Sequence, residues 1–248
     1  MTESRFSGHR VLILGGSCDL AICLAEASMR EGLFPVLTWR SEEGKRRIET
    51  RLHSFNGKYA TAYFELGNRD ALDSLFDPLN DASDYLVDFA QGDMESLIGS
   101  ANPEEMQRYF FENVSFRAEV LRKAARTMLK RRRGRLIFIS SSAACKPNPG
   151  QGFYAAAKLA SEALYRSLGL ELASRGITTM SVRPGYVDTG RGKKYLQTHQ
   201  KEAMKVVPTG KPLTCREVAE AVLFFLSDNG SGFNATEVSM DGGLTAGK

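Results

Sequence analysis

Short apolar runs alternate with segments of helical periodicity along almost the whole chain, and this alternation constrains the fold more than any other feature of the sequence. The predicted strands are the runs VLILGG, FPVLTW, YATAYFEL, DYLVDFA, RLIFISS, ITTMSVRPG and NATEVSMDGG. Strands that alternate with helices at this rhythm predict right-handed βαβ crossovers and a parallel sheet with helices on both faces. Because 248 residues suit one such unit and no repeat or linker interrupts them, we predict a single doubly wound α/β domain over residues 1–248.

Helical periodicity fills the segments between the strands. These segments are LAICLAEASMREG, closed by Gly32; SEEGKRRIETRLHSF; NRDALDSLFDPL, begun by Asn68; the stretch from Pro103 to Lys130; the stretch from Gly152 to about Arg175; and CREVAEAVLFFLSD. The long charged segment from about Asp188 to Pro212 is predicted to be irregular, as a functional lid or a poorly ordered loop.

The cysteines and the charge limit the partners that we expect. The four cysteines, Cys18, Cys23, Cys145 and Cys215, form no C-x-x-C pair, which argues against a metal site and favours free thiols in a reducing compartment. The sequence has neither an apolar signal-peptide core at its start nor a run of about 18 apolar residues, so we expect a cytoplasmic protein without a membrane partner. The net charge of +4 suits an anionic ligand. No aromatic platform accompanies KRRRGR, so nucleic acid is not an expected partner.

A phosphate-binding turn is predicted where GGSCDLA follows the first strand and opens a helix. This is where a Rossmann-type fold binds a dinucleotide, because free backbone N–H groups and the helix dipole favour a pyrophosphate. Gly15 and Gly16 let the chain turn close to the phosphate, and the Ser17 hydroxyl can donate a further hydrogen bond. A carboxylate at Asp19 would repel a pyrophosphate, so we interpret Asp19 as the helix N-cap. Ala21 is small enough to keep the helix close to the strand.

The strongest signal for chemistry lies in RLIFISSSAACKPNPGQGFYAAAKLA. Tyr154 and Lys158 are four residues apart on one predicted helix and therefore share a face. Ser141 follows a strand at the carboxyl edge, where such sheets bind ligands. A free tyrosine has a pKa of about 10, and we expect a neighbouring lysine cation to lower it. Tyr154 would then act as general acid/base on a carbonyl oxygen that Ser141 holds. Taken alone, a Tyr and Lys at this spacing also occur on ordinary surface helices.

With these residues assembled, the sequence resembles the classical short-chain dehydrogenase/reductase family over nearly its whole length. The spacing of thirteen positions from Ser141 to Tyr154 and the YxxxK motif at Tyr154 and Lys158 match that family. The resemblance implies one more catalytic residue, Asn113 in FFENVSF, which would anchor a water that links Lys158 to solvent. A polar residue that fixes a helix distortion is the other interpretation of Asn113, and both can hold.

The resemblance also implies further cofactor contacts. RPGYVDTG matches the family's PG motif, which assigns Pro184 and Gly185 to the cofactor site and Val187 and Thr189 to the nicotinamide carboxamide. The remaining implied contacts are Leu20, Glu65, Leu66, Ala90, Tyr154 and Lys158. MDGG matches a C-terminal motif, Asp241 to Gly243, that is structural at a subunit interface; the family is mostly tetrameric or dimeric, so we expect a homo-oligomer.

Two segments depart from the family pattern. Asp19 and Ala21 stand where glycines are common. The NNAG motif after the fourth strand appears here as Asp88-Phe89-Ala90-Gln91, of which Ala90 alone is retained. These departures put the affinity for the cofactor in doubt and leave open a non-catalytic nucleotide sensor as a function of a different class. The intact set of Ser141, Tyr154 and Lys158 argues against a sensor.

The end of the second strand, TWRSEEG, favours NADP (NADPH) over NAD. An NAD site usually has an acidic residue here for the ribose hydroxyls, whereas this chain offers Arg40 and Ser41, which can bind a 2′-phosphate. The alternative for Arg40 is a solvated arginine on a charged helix.

The expected substrate is a 3-oxoacyl thioester, because within the family the sequence looks most like 3-oxoacyl-(acyl-carrier-protein) reductases of fatty acid biosynthesis. Arg132 and Arg175 match two arginines that bind the acidic carrier protein in those reductases, and we expect them near the mouth of the active site. The alternative for these arginines is a solvated basic turn. The alternative function is a reductase or dehydrogenase of a free small-molecule alcohol or ketone, such as a sugar or steroid.

Overall fold

Seven parallel strands form one sheet across the part of the chain that the structure, a computed structural model, describes, residues 5–77 and 83–246. The strands are β1 Arg10–Leu14, β2 Phe34–Trp39, β3 Ala60–Tyr63, β4 Tyr85–Asp88, β5 Gly134–Ile139, β6 Ile177–Pro184 and β7 Thr236–Met240. Their order is β3-β2-β1-β4-β5-β6-β7. The chain changes its direction of sheet growth between β1 and β4, so a ligand crevice is expected at the carboxyl ends of these two strands. The predicted Rossmann-type fold class is confirmed.

Helices cover both faces of the sheet. They are α1 Asp19–Arg30, α2 Glu42–Arg51, α3 Arg69–Leu75, α4 Pro103–Phe110, α5 Phe116–Arg131, α6 Gly152–Leu172, α7 Gly190–Lys205 and α8 Cys215–Leu226. One apolar core lies between the sheet and the helices α1 and α8, with Ile22 and Val222 fully buried. The other lies under α5 and α6, with Phe116 and Tyr165 fully buried. The strands between these cores are buried on both faces, which explains why they read as continuous apolar runs.

Two helix ends lie where the sequence predicts, namely the start of α3 and the end of α1. Asn68 caps α3, because its side-chain oxygen accepts a hydrogen bond from the Ala71 N–H at 3.0 Å. The end of that predicted helix, residues 78 and 79, lies outside the described residues. Gly32 has φ +78° directly after the end of α1, as a helix-terminating glycine requires. A π-helical turn, Phe111–Ser115, separates α4 from α5 within the single long helix that was predicted.

The prediction of an irregular segment between Asp188 and Pro212 is wrong. Residues Gly190–Lys205 form α7, a helix kinked at His199. The side of α7 that faces the protein has few apolar residues, and its buried residues are Leu196 and Ala203. The helix therefore lies on the surface with most of its side chains in solvent, and its sequence carries little periodic signal. None of the helices in the described part of the chain combines the length and apolar composition of a membrane span.

Candidate active site

Ser141, Tyr154 and Lys158 lie together at the carboxyl edge of the sheet. Ser141 follows β5, and its hydroxyl lies near enough to the Tyr154 phenol to lower the pKa of that phenol by hydrogen bonding. Lys158 is buried, its Nζ lies 5.6 Å from the centroid of the Tyr154 ring, and it donates a hydrogen bond of 2.7 Å to the Ile139 carbonyl oxygen. The first turns of α6 therefore present the phenol and the ammonium group to Ser141, just after β5, as the sequence spacing predicts.

The pKa of Tyr154 is raised, so the expectation that a lysine cation lowers it is wrong. Burial of the phenol is the largest cause, and it outweighs the opposing effects of the Arg191 cation and the hydrogen bond with Ser141. Lys158 is a weak source of positive charge, because burial, and next the like charge of Arg117, lower its own pKa to about 7. At neutral pH the structure therefore holds a protonated phenol beside a lysine that is only partly charged.

Arg191 is a cation at this site that the sequence analysis did not single out. It lies in the first turn of α7, and its guanidinium carbon is 5.4 Å from the centroid of the Tyr154 ring. Its Nη1 pairs with Asp93, in the loop after β4, at 2.9 Å. The available signal was the basic composition of the segment after Thr189. Arg191 thus connects α7 with the loop after β4 across the face of Tyr154.

Asn113 lies in the π-helical turn and is fully buried. Its Nδ2 donates to the Tyr109 carbonyl oxygen at 2.9 Å, and its Oδ1 accepts from the Gly92 N–H at 2.7 Å. These two bonds tie the distorted turn to the segment after β4. The interpretation of Asn113 as a residue that fixes a helix distortion therefore agrees with the geometry, and its role in a water relay stays a prediction.

Arg117 is the residue that sequence analysis missed most clearly. It is fully buried and forms an ion pair with the buried Asp88 carboxylate. Its remaining N–H groups donate to the carbonyl oxygens of Ala90, at 2.7 Å, and Asn113, at 3.0 Å. Asp88 also accepts hydrogen bonds from the Ala90 N–H and the Tyr165 hydroxyl. The departure from the NNAG motif at Asp88 is thus matched by an arginine from α5.

The phosphate turn has the backbone geometry that the sequence predicts. Gly15 has φ +69°, and a Cβ atom there would lie 2.8 Å from the backbone nitrogen of Ala90. A Cβ atom on Gly16 would lie 2.6 Å from the Leu37 side chain. Both positions therefore exclude a larger residue, Gly15 for conformation as well as for space. Ala21 is fully buried, as expected for close packing of α1 on the sheet.

The interpretation of Asp19 as a helix N-cap is wrong. Cys18 is the N-cap of α1, and Asp19 is its first helical residue. The Asp19 carboxylate instead pairs with Arg47 and, at 3.4 Å, with Arg51 from α2, and it accepts a hydrogen bond of 2.8 Å from the Thr189 hydroxyl. Burial raises the pKa of Asp19. The hydrogen bond from Thr189 and the two arginines together lower the pKa by more than burial raises it, so the net shift is downward. The repulsion expected from this carboxylate is offset by the two cations.

A cavity of about 220 Å³ lies beside the phosphate turn and brings together many of the predicted cofactor residues. Of the predicted set, it is lined by Gly15, Ser17, Arg40, Glu65, Leu66 and Ala90. Gly16, Leu20 and Ser41 are not among its lining residues. The Ser41 side chain accepts a hydrogen bond from the Gly44 N–H as the cap of α2. Glu112, which was not predicted, also lines the cavity; burial raises the pKa of its carboxyl, as does the neighbouring Glu65 more weakly.

The segment after β6 lies across the end of the sheet. Gly185 donates a backbone hydrogen bond of 2.9 Å to Met240, and a Cβ atom there would lie 2.8 Å from the Cα of Asp241. Pro184 pairs with Met240 in the sheet register, and Val187 is buried. Thr189, assigned to the nicotinamide, bonds to Asp19 as described above. The Asp241 carboxylate caps its own turn, accepting from Gly243 and Thr245.

Arg132 and Arg175 are exposed and lie in neighbouring turns, since the Arg132 side chain donates to the Ser174 carbonyl oxygen at 3.4 Å. These turns precede β5 and β6, whereas Ser141 follows β5. In a parallel sheet the two ends of a strand lie at opposite edges, about 20 Å apart for a six-residue strand. The expectation that these arginines lie near the active-site mouth of the same chain is therefore wrong.

Comparisons with known proteins agree with this geometry. A family model described as enoyl-(acyl carrier protein) reductase matches residues 18–245. The 3-oxoacyl-(acyl-carrier-protein) reductase FabG of Haemophilus influenzae is 28% identical over 240 residues, covering 96% of this chain and 98% of the relative. The FabG of Escherichia coli is 28% identical over 242 residues, with the same coverage.

Solved structures give a similar result. A short chain dehydrogenase/reductase family protein superposes with a TM-score of 0.87 at 26% identity, covering 98% of this chain and all of that chain. A putative betaketoacyl-ACP reductase superposes with a TM-score of 0.85, at the same identity and coverage.

Proposed function

The chain belongs to the short-chain dehydrogenase/reductase family, and from this premise we propose that it is an NADPH-dependent reductase that converts 3-oxoacyl thioesters to their 3-hydroxyacyl forms. The family makes the chain an NAD(P)-dependent oxidoreductase that acts on CH–OH groups. The observation that carries the proposal is the meeting of the Ser141 hydroxyl, the Tyr154 phenol and the Lys158 ammonium group at the carboxyl edge of the sheet.

The residues beside β1 fit a nicotinamide dinucleotide. Gly15 leaves room where a Cβ atom would strike the backbone of Ala90. The buried Nε1 of Trp39, which lines the cavity, has no hydrogen-bond partner within the described residues. Gly15, Ser17 and the N-terminus of α1 would hold the phosphates. Arg40 and Ser41, at the end of β2, would hold the 2′-phosphate of NADP. When bound, this cofactor supplies the hydride.

Tyr154 is the proposed proton donor to the carbonyl oxygen. Its raised pKa keeps the phenol protonated at neutral pH, which suits a general acid in the direction of reduction. Ser141 would hold the same oxygen by a hydrogen bond, and Lys158 would stabilise the phenolate that remains. Asn113 would connect Lys158 to solvent.

Oxidation of an alcohol requires the opposite protonation state of Tyr154. We therefore expect the oxidation rate to rise with pH through the alkaline range.

The 3-oxoacyl thioester is proposed from the FabG relatives. Arg132 and Arg175 are the proposed contacts with an acyl carrier protein. Because they lie at the edge of the sheet opposite Tyr154, a carrier bound there would present its acyl group to a second copy of the chain. A dimer or tetramer is thus part of the proposal. The predictions of a single domain over residues 1–248 and of a cytoplasmic location stay predictions.

A free ketone is the second candidate substrate. The position of Arg132 and Arg175 at the edge of the sheet opposite Tyr154 favours it. If the two arginines are only a solvated basic turn, the active site has no contact for a carrier within its own chain. Carrier-linked substrates would then react no faster than free ones of the same structure.

The test is a cofactor-oxidation assay with NADPH and NADH against 3-oxoacyl thioesters, on carrier protein and on coenzyme A, and free ketones. We expect NADPH to be preferred and the thioesters to have the highest kcat/KM. Tyr154→Phe should lose at least about a hundredfold in kcat, because general acid catalysis contributes that much or more, and it should keep its cofactor affinity. Tyr59→Phe, a partly buried tyrosine outside the site, is the matched control. Unchanged turnover in Tyr154→Phe would refute the mechanism.

A further inference from the structure

Lys158 lies in a cluster of buried charged groups. Lys158 is the one member of this cluster that the mechanism above uses. Asp88 on β4 and Arg117 on α5 are both fully buried, at 1% and 0% exposure. Neither side chain opens into solvent, and neither has been assigned a role in the chemistry. A buried ion pair is costly to form, and apolar side chains of similar volume often replace such a pair without loss of stability, so the presence of this pair calls for a functional explanation.

Arg117 is linked to the proposed proton-transfer residues by direct contacts. Its Nε donates to the Asn113 carbonyl oxygen at 3.0 Å, and the Ser161 hydroxyl donates to the same oxygen at 3.2 Å. Two side-chain donors therefore reach that oxygen. The backbone of the Asn113 turn is therefore held from α5 and from α6 at once.

Arg117 and Lys158 also share an aromatic ring. The centroid of Phe138 lies 4.8 Å from the Arg117 guanidinium carbon and 4.6 Å from the Lys158 Nζ. Phe138 is itself fully buried and stacks on Tyr165 at 5.2 Å. The two cations therefore lie in one water-poor region, where charges interact more strongly than at the surface.

The other charged and titratable groups around Lys158 come from several elements. Glu162 on α6 attracts the ammonium group, and its carboxylate is held by Arg183 of β6 at 2.6 Å. Arg191 on α7 repels the ammonium group. Tyr154 on α6 lies beside it, and Tyr165 donates to Asp88 at 3.2 Å. Within this set, Arg117 and Asp88 are the charges with the largest opposing effects on Lys158.

We propose that Asp88 and Arg117 are positioning residues of the proton-transfer site: this buried pair sets the charge balance around Lys158 and fixes the Asn113 turn beside it. The pair stands in place of the neutral asparagine that the family resemblance expects at position 88. The catalytic part of this proposal rests on the proposed function. The electrostatic part, the effect of the pair on Lys158, concerns the folded protein and does not depend on that function.

The test measures the titration of Lys158 directly in protein labelled with ¹³C-lysine, following the Cε resonance by NMR across pH; Lys158→Met identifies the signal. In the wild type, burial and the like charge of Arg117 place the pKa of Lys158 at about 7. Asp88→Asn removes an attracting charge, so the midpoint should fall by about one pH unit. Arg117→Met removes a repelling charge, so the midpoint should rise by about one unit.

Opposite shifts are the signature that a merely structural role would not produce. The conservative variant Arg117→Lys keeps the charge and should titrate near the wild type. The double variant Asp88→Asn/Arg117→Met removes both charges and should return the midpoint toward the wild-type value. Shifts in the same direction for the two single variants, or a midpoint that neither variant moves, would overturn the proposal.

Folding and function are kept separate in this design. If Arg117→Met is not recovered folded, Asp88→Asn decides, because a fall in its midpoint supports the proposal and an unchanged or raised midpoint overturns it. In active enzyme, the pH dependence of kcat should shift in the same directions as the NMR midpoints. A wild type that titrates as expected but reduces no ketone would refute the proposed function and leave the electrostatic claim standing.

Discussion

Two aspartates stand where the family pattern has glycine or asparagine, and the protein accommodates them in opposite ways. Asp19, at the phosphate turn, is 19% exposed and pairs with two arginines that are each 49% exposed. Asp88, at the end of β4, is 1% exposed and pairs with an arginine that is fully buried. The first carboxylate keeps contact with water and with partly exposed partners. The second depends on one fixed partner for its stability.

This difference shows where an extra charge can be removed with little change in the free energy of unfolding. An exposed ion pair contributes about 0–1 kcal/mol, so Asp19 and its arginines can change with little effect on the fold. A buried pair that loses one member leaves the other charge without compensation, at about 3–5 kcal/mol. We therefore expect Asp88 and Arg117 to change only together.

The largest effect is expected from Arg117→Met. This substitution leaves the Asp88 carboxylate buried without a cation, so the free energy of unfolding should fall by about 3–5 kcal/mol. Urea denaturation at neutral pH measures the change. The matched variant Asp88→Leu/Arg117→Met replaces the pair by apolar side chains and should recover most of the loss. If the double variant is as unstable as the single one, the unpaired Asp88 carboxylate is not the cause of the lost stability.

A smaller effect is expected from Asp19→Asn. The substitution removes an anion from the N-terminus of α1 and frees Arg47 and Arg51 to face a bound pyrophosphate. The dissociation constant for NADPH should fall about threefold to tenfold, since each tenfold corresponds to about 1.4 kcal/mol. Calorimetric titration at low salt measures it, and added salt should reduce the gain. Weaker binding would mean that the Asp19 bond to Thr189 organises the site instead.

The smallest effect is expected from Arg51→Met. Its Nη1 lies 3.4 Å from Asp19 across a solvated surface, so the free energy of unfolding should fall by less than about 1 kcal/mol. The folded-state pKa of Asp19 is lowered, so this contribution is present above its usual pKa of 3.8 and is lost as the pH falls through the folded value. Arg46→Met, on the same exposed helix, is the control. A loss as large as that of Arg117→Met would contradict the comparison.

The sheet was predictable because its central strands β1, β4 and β5 are largely buried on both faces and read as apolar runs of the right length. The site residues Ser141, Tyr154 and Lys158 followed from the spacing along one helix and from the common edge of parallel strands. The cavity residue Arg40 followed from its place directly after β2, whereas Ala90 was implied by the family resemblance. In each case the chain's local pattern determines where the side chain lies.

The missed residues depend on contacts between distant segments. Arg117 lies in FRAEVLRKAARTMLK, where a single arginine among many charges gives no sign of burial. Its partner Asp88 is 29 positions away, and the pair becomes visible only when β4 and α5 are packed. Arg191 lies in a helix whose apolar side is too sparse to predict, and the basic composition of its segment does not indicate which cation approaches Tyr154.

Trp39 gives the cofactor cavity a property of its own. It is the only tryptophan in the sequence, it lines the cavity, and its ring lies 5.4 Å from Tyr63 and 5.2 Å from the Lys45 ammonium group. All indole fluorescence of the protein therefore originates at one wall of this cavity. The emission band of indole overlaps the absorption band of a reduced nicotinamide, so the occupancy of the cavity can be followed optically by energy transfer, without a label.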